Sequence, residues 1–429
     1  MCMTIWYRAG GAAGTVLLGA GLFLAGPGSA VPAAAAAAAP AAAQRAPAAA
    51  RLVRTAQSPM AATNNKVDVL AYVGGAVYAG GDFTTMSFHG RTYRRRHLGA
   101  VSAATGAPTS FSPRVNGAVM SLAPSPDGKV LYVGGKFTMV GKHPRLNVAA
   151  FDVATGKLTS FAPSVIAGSV RAIAVTSDGV YLGGTITKVD GERRTFAAEV
   201  TTDGAVTSWA PALDGWVRAM LISPDRTRIF LGGGFHHVNG IRYEALGSVS
   251  LIAGLDDRFR NGLIPTYPRA RKGKNSQVTS LATNGTLIFA GAEGTGWHAF
   301  DGTLAFRPGT GRLVWRNTCL GATQAIAYLR GVLYKASHAH NCSSMGGFGQ
   351  IRPGWQAHHL LAESGADGRL LAWGTSAGGV PEPKPDTNGG WHDALGPFAF
   401  ATDGRQLFVG GEFTRVNSRR QQGLARFAA

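Results

Sequence analysis

The sequence predicts an all-β fold made by repeating one four-stranded unit, and three observations predict it. Residues 77–84 (VYAGGDFT) recur as LYVGGKFT at 131–138, VYLGGTIT at 180–187, IFLGGGFH at 229–236 and LFVGGEFT at 407–414. The glycine pairs begin at Gly80, Gly134, Gly183, Gly232 and Gly410, and the first four are spaced by 54, 49 and 49 residues. A composition of 60 glycines with only 15% charged residues suits short strands and tight turns. A period near 40–50 residues built from apolar alternating segments points to a β-propeller or a β-solenoid.

The clearest unit decides between the two. Residues 170–176 (VRAIAVT) alternate and form the expected innermost strand. Asp178-Gly179 supplies a tight hairpin, because both residues tolerate the positive φ such a turn needs. Residues 180–187 are the second strand, a basic loop follows, and residues 196–200 are the third. Asp203-Gly204 then turns the chain into a fourth strand at 205–209, and Pro211 ends the unit. The same order fills 119–163. Four strands with two glycine-marked hairpins make a propeller blade rather than a solenoid rung.

The expectation is therefore a single β-propeller of seven four-stranded blades, starting near Val67, Val119, Val170, Val217, Val278, Gln324 and Leu395. In the sixth unit the glycine signature is gone and only 332–335 remains recognisable. The seventh ends at Ala429 after three strands. A segment near 52–55 is expected to supply the missing fourth strand, closing the ring and removing its free edge.

The first 50 residues read as export machinery. Arg8 precedes an apolar run over 9–26, small residues follow at 29–33, and 34–50 is an Ala/Pro-rich tether. The expected organisation is a signal peptide at 1–33, a linker at 34–50 and the propeller at 51–429, with an uncleaved anchor as the alternative. After cleavage no stable membrane span is expected. Removing 1–50 takes away Arg8 and Arg45 and no acid, leaving 40 basic against 23 acidic residues. Such an excess favours an anionic polymer. Cys2 leaves with the signal, so Cys319 and Cys342 are expected to pair as a disulfide in an oxidising compartment.

The unit GGxFTxVxG, a basic loop, an alternating strand, a (D/T)G turn and SFxP or SWxP resembles the secreted bacterial delta-60-type propeller repeats. The likeness covers about 67–250 and 395–429. It implies an extracellular propeller and no particular activity.

Candidate chemistry gathers in three places. The loops between second and third strands carry Arg91, Arg94, Arg95 and Arg96, then Lys142, His143 and Arg145. Arg193 and Arg194, Arg242, and Arg415, Arg419 and Arg420 continue the series, and Arg269, Arg271, Lys272 and Lys274 leave the fourth unit toward the same face. Arg94, Arg95, Arg96, Arg194, Arg269, Arg271, Lys272, Lys274 and Arg420 are the expected contacts for an anionic wall polymer. The competing reading is that one arginine per unit braces a neighbouring carboxylate or carbonyl. Nucleic acid is not expected as a partner, since aromatics between the basic residues are sparse and the protein is exported.

The second cluster is residues 337–342 (SHAHNC), where His338 and His340 share a face and Asp393 could complete a metal site. Pairing of Cys342 with Cys319 argues against it. The third comprises 310–315 (TGRLVW) and 367–373 (DGRLLAW), which resemble the docking repeats of quinoprotein propellers. Trp209, Trp315 and Trp373 are expected to dock blade to blade. The adjacent cysteines of some quinone sites are absent. No cofactor is expected, and the molecule reads as a monomer.

A non-catalytic binding or scaffold module at the cell surface is the leading functional reading. The alternative is an extracellular glycan hydrolase or lyase, or less readily a quinone- or metal-dependent oxidoreductase, sited over units five and six. The unrepeated acids Asp256, Asp257, Glu293, Asp301, Glu363, Asp386 and Asp393 lie there.

Overall fold

A computed structural model describes residues 50–55, 57–251, 262–264, 276–294, 299–350, 357–378, 384–385, 391–392 and 396–429. Among these the chain is all-β, with one three-residue 3-10 turn at Ser343–Met345 and no helix long and apolar enough to cross a membrane. Seven consecutive antiparallel sheets carry the fold. Their first strands are Val67–Val73, Val119–Pro124, Val170–Val175, Val217–Ile222, Ser276–Thr283, Thr323–Leu329 and Pro397–Thr402. These begin within a few residues of the seven expected starts. Each first strand packs on the next, and Pro397–Thr402 packs on Val67–Val73. The apolar cores lie between neighbouring sheets, including one that joins Ala399, Ala401 and Phe408 of sheet seven to Val67, Leu70 and Val77 of sheet one.

The glycine pair is explained by two close approaches. The first glycine faces the next sheet: a Cβ at Gly134 would lie 2.5 Å from Val170 Cγ1, and one at Gly232 2.5 Å from Val278 Cγ1. In the same way a Cβ at Gly410, in the last sheet, would lie 2.7 Å from Val67 Cγ1 of the first. The second glycine meets its own sheet. Substituents at Gly81, Gly135, Gly184 and Gly233 would collide with the carbonyls of Lys66, Ala118, Ser169 and Trp216. Those carbonyls project there because every first strand is bulged at its start, with register shifts at 67/69, 119/121, 170/172, 217/219, 278/280, 323/325 and 397/399.

The expected fourth strand is mostly shorter than predicted. Sheet five has one at Leu313–Asn317, but in sheets one, two, three and six the fourth edge is a single bridge: Val101 to Pro108, Phe151 to Leu158, Val200 to Val206 and Glu363 to Leu370. A threonine bends the edge away in the first three. Thr109, Thr159 and Thr207 accept the backbone N–H two residues on through Oγ1, at 3.2–3.3 Å, which replaces a ladder bond with a local turn.

The aromatic that follows docks edge-on against the tyrosine of the second strand. The pairs are Tyr78 with Phe111, Tyr132 with Phe161, Tyr181 with Trp209 and Tyr334 with Trp373, at centroid distances of 4.9–5.1 Å. Two of these rings also reach the next sheet, Phe111 meeting Phe151 and Trp373 meeting Phe427, and in sheet five Trp315 Nε1 donates to the Gly365 carbonyl.

The segment ahead of sheet one lies along sheet seven. Arg54 N–H donates to Ala428 O at 2.7 Å, Ser58 N–H donates to Arg426 O at 2.8 Å, and Gln57 bridges Phe427. This pairing sits slightly C-terminal to the expected 52–55. Val53 N–H also donates to the Tyr334 hydroxyl at 2.8 Å.

Candidate functional site: a basic hairpin face

Between second and third strands the chain makes small two-stranded hairpins. Those described are Thr85–Phe88 with Arg91–Arg94, Met139–Val140 with His143–Pro144, Lys188–Val189 with Glu192–Arg193, His237–Val238 with Ile241–Arg242, and Arg415–Val416 with Arg419–Arg420. Each leaves the glycine pair and returns through a residue at positive φ: His97, Asn147, Phe196, Ala245 and Gly423. Their N–H groups donate to Phe83, Phe137, Ile186, Phe235 and Phe413 carbonyls. The linker before the first strand ties three hairpins down. Asn64, Asn116 and Asp214 each accept two backbone N–H groups from a hairpin, at 2.7–2.9 Å.

This anchoring presents the basic side chains outward. Arg91, Arg94, Arg96, Lys142, His143, Lys188, Arg193, Arg242, Arg415, Arg419 and Arg420 are exposed. Asp190 and Glu192 are the acids within the five hairpins, while Asp82, Glu244 and Glu412 lie between a hairpin and its glycine pair or return residue. Glu244 is already committed to His236 Nδ1 at 2.8 Å and to Arg242. The surface is therefore strongly positive where sheets one, two and seven contribute.

Two of the expected contacts are placed elsewhere. Arg95 and Arg194 are only 8% exposed, and each guanidinium forks onto two carbonyls. Arg95 donates to Arg94 O at 2.8 Å and to Thr109 O at 2.5 Å, and Arg194 to Arg193 O and Thr207 O at 2.7 Å. Arg145 repeats the arrangement on Pro144 O and Thr159 O at 2.8 Å. The accepting threonines are those at which the outer edge peels away, so this arginine ties the hairpin to the end of its own sheet. Burial pulls the Arg95 and Arg145 guanidinium groups below their ordinary value. The run of three arginines in the first hairpin thus contains two surface cations flanking one internal brace. Arg269, Arg271, Lys272 and Lys274 lie outside the described residues.

Cys319 and Cys342 form a buried disulfide across 23 residues. His338 Nε2 accepts the Ala322 N–H at 3.3 Å, and burial holds His340 below the ordinary imidazole value. Asp393 is outside the described residues, and among the described ones no group of three or more His, Cys, Asp or Glu is placed to hold a metal ion. Of the unrepeated acids, Asp256, Asp257, Asp386 and Asp393 also fall outside. Glu293 pairs with Arg218 at 2.7 Å, and Asp301 accepts the Gly294 N–H at 2.6 Å.

Glu363 was not foreseen as an internal group. It is fully buried, with Oε1 3.6 Å from the equally buried Lys335 Nζ and Oε2 accepting the Thr303 hydroxyl at 2.5 Å. Burial raises the carboxyl and lowers the amine. The only sequence signal was a lysine within the second-strand apolar run YKAS, where other units have Ala, Val or Leu.

A family model described as the Rax2 C-terminal beta propeller domain matches residues 97–234. With the all-β succession of antiparallel sheets, it supports a β-propeller repeat family for this chain. No curated protein matches.

Proposed function

We propose that the protein is an exported, non-catalytic binding or scaffold β-propeller that holds an anionic polymer at the cell surface or in the extracellular space. The observation that carries this is the hairpin face, where five hydrogen-bonded hairpins expose basic side chains with few acids within them. Many weak phosphate or uronate contacts spread over such a face add to useful affinity without a deep pocket. The contact set is Arg94, Arg96 and Arg420 with their hairpin neighbours; Arg95 and Arg194 support it from beneath.

Seven blades in a closed ring are part of the same proposal. The support is the last-to-first contact of Gly410 with Val67 and the pairing of Arg54 and Ser58 with Ala428 and Arg426. Assignment to the delta-60-type repeats belongs here too and rests on the GGxFT units. Co-sedimentation with isolated bacterial cell walls tests the binding. Saturable retention that weakens with salt is expected, and failure to sediment at low salt would remove the reading. Deleting residues 1–59 tests the ring: the lost edge should lower the melting temperature and make the last sheet prone to self-association.

A further inference from the structure

Seven first strands bulged at one position leave seven residues without a ladder partner, and the closed-ring reading puts them around its axis at the end where the hairpins emerge. They are Asp68, Met120, Arg171, Arg218, Thr279, Gln324 and Phe398. A purely structural ring would be apolar or small here. Instead its two sides carry opposite charge.

On one side Arg171 and Arg218 stand on neighbouring strands. The Arg171 guanidinium lies 5.6 Å from the Trp216 ring centroid, and its Nε donates to Ser169 Oγ at 3.2 Å. That leaves its terminal nitrogens without a partner among the described residues, and the residue is exposed. Trp216 is held as a platform because position 234 is glycine: a Cβ there would lie 2.6 Å from the indole Nε1. Arg218 is oriented by Glu293 at 2.7 Å.

The other side is acidic. Asp68 and Asp82 flank Lys66, at 3.1 and 3.6 Å, and Glu412 acts on the same group. One lysine is left to three carboxylates. The Asp68 carboxylate acts on the Arg171 guanidinium although sheet two stands between their sheets in chain order. The ring also holds Gln324, which is 3% exposed and whose amide atoms have no hydrogen-bond partner among the described residues. A buried amide left without partners is costly, and a bound polar ligand is one way to satisfy it.

We propose that this axial mouth binds a small zwitterion, its carboxylate on the free fork of Arg171 beside Arg218 and its ammonium group toward Asp68, Asp82 and Glu412. A planar guanidinium with both terminal nitrogens available matches a carboxylate in two-point geometry, and stacking on an indole pre-orients it. The acidic side then rejects simple anions and selects ligands that also carry a cation. This rests on the closed-ring reading and is independent of polymer binding, since none of these groups belongs to a hairpin. Trimming residues 1–59 tests the ring alone, so the two can fail separately.

The test is calorimetric titration of the full chain with glycine, γ-aminobutyrate and ε-aminocaproate, each beside its monoanion, acetate, butyrate or caproate. The series reads the gap between the two sides. At least one zwitterion should bind about tenfold or more tightly than its own monoanion. Arg171→Gln should weaken that zwitterion by about tenfold or more. Asp68→Asn should abolish the zwitterion's advantage while sparing the monoanion. Arg171→Lys retains the charge and loses the fork, so it should weaken binding even if the glutamine variant fails to fold. Equal affinity for a zwitterion and its monoanion would overturn the charge-selective site. Absence of heat for every probe up to about 10 mM, a range that covers even weak ligands, would overturn the site altogether.

Discussion

Sheets two and six share a register and almost nothing else. In sheet two, Leu131 of the second strand faces Phe151 of the third, with Val133 beside it, and all three are buried. Sheet six keeps the partnership as Leu333 with Glu363 and puts Lys335 where Val133 stands. Its glycine pair has become Ala336-Ser337, and a disulfide with a short 3-10 turn stands where sheets one to four and seven carry a basic hairpin. What survives is the bulge at Thr323/Ala325 and the edge-on contact of Tyr334 with Trp373. Of the two, only the bulge recurs in all seven sheets, so it is the minimum that the architecture demands. The glycine pair is a means of packing closely, and it can be lost when a neighbour gives way.

The comparison can be broken most forcefully at the buried pair. Lys335→Ala alone should cost about 3–5 kcal/mol, because it strands Glu363 in the core. Restoring the chemistry of the regular sheets with Lys335→Val and Glu363→Val together should be neutral or stabilising by about 1–4 kcal/mol. Denaturant unfolding of both variants distinguishes a structural pair from one retained for activity. Next in size is the disulfide. Replacing Cys319 and Cys342 by serine opens a loop whose closure is worth about 3 kcal/mol, and the same titration reads it.

Gly134→Ala sharpens the packing argument. Its Cβ would lie 2.5 Å from Val170 Cγ1, so a loss of about 1–3 kcal/mol is expected. The equivalent sheet-six position already holds Ala336, and Ala336→Gly should cost no more than about 1 kcal/mol.

Two carboxyls outside the compared sheets, in sheets four and five, contribute pH dependences of opposite sign. The Ser223 hydroxyl holds Asp225 below its ordinary 3.8, so the stability it adds is present above that value and lost as pH falls through the folded one. Burial raises Asp301 above 3.8, so its contribution grows as pH falls through the raised value toward 3.8. Carboxyl-carbon NMR titration should find Asp225 midpoints below and Asp301 midpoints above the ordinary value. Reversal of that order would contradict the burial assigned to sheet five.

The sequence made the repeat legible because its spacing reflects sterics. A glycine against a valine and a glycine against a carbonyl favour the smallest residue, so the glycine pairs together with the alternating runs and Gly-marked turns locate the strand starts at Val67, Val119, Val170 and Val217. The edge strands are shorter than the sequence suggests, since nothing in TSF or TSW distinguishes a ladder residue from a threonine that turns the chain aside. Arg95 was indistinguishable from Arg94 and Arg96 within one basic run. Only the carbonyl of Thr109, fourteen residues away, selects it for the interior. The Lys335–Glu363 pair was unreadable for the same reason: the partners are 28 residues apart and meet only through strand register.

The smallest structural perturbation should have the largest functional consequence. Arg94→Glu with Arg96→Glu changes two exposed side chains, so stability should move by no more than about 0.5 kcal/mol. The direct measurement is a titration of polygalacturonate with the wild-type protein and this variant over a series of salt concentrations. The account predicts saturable binding for the wild type, falling steeply with salt, and a weaker affinity with a shallower salt dependence for the variant. Equal binding by the two proteins, or none by either at low salt, would contradict a polymer-holding hairpin face.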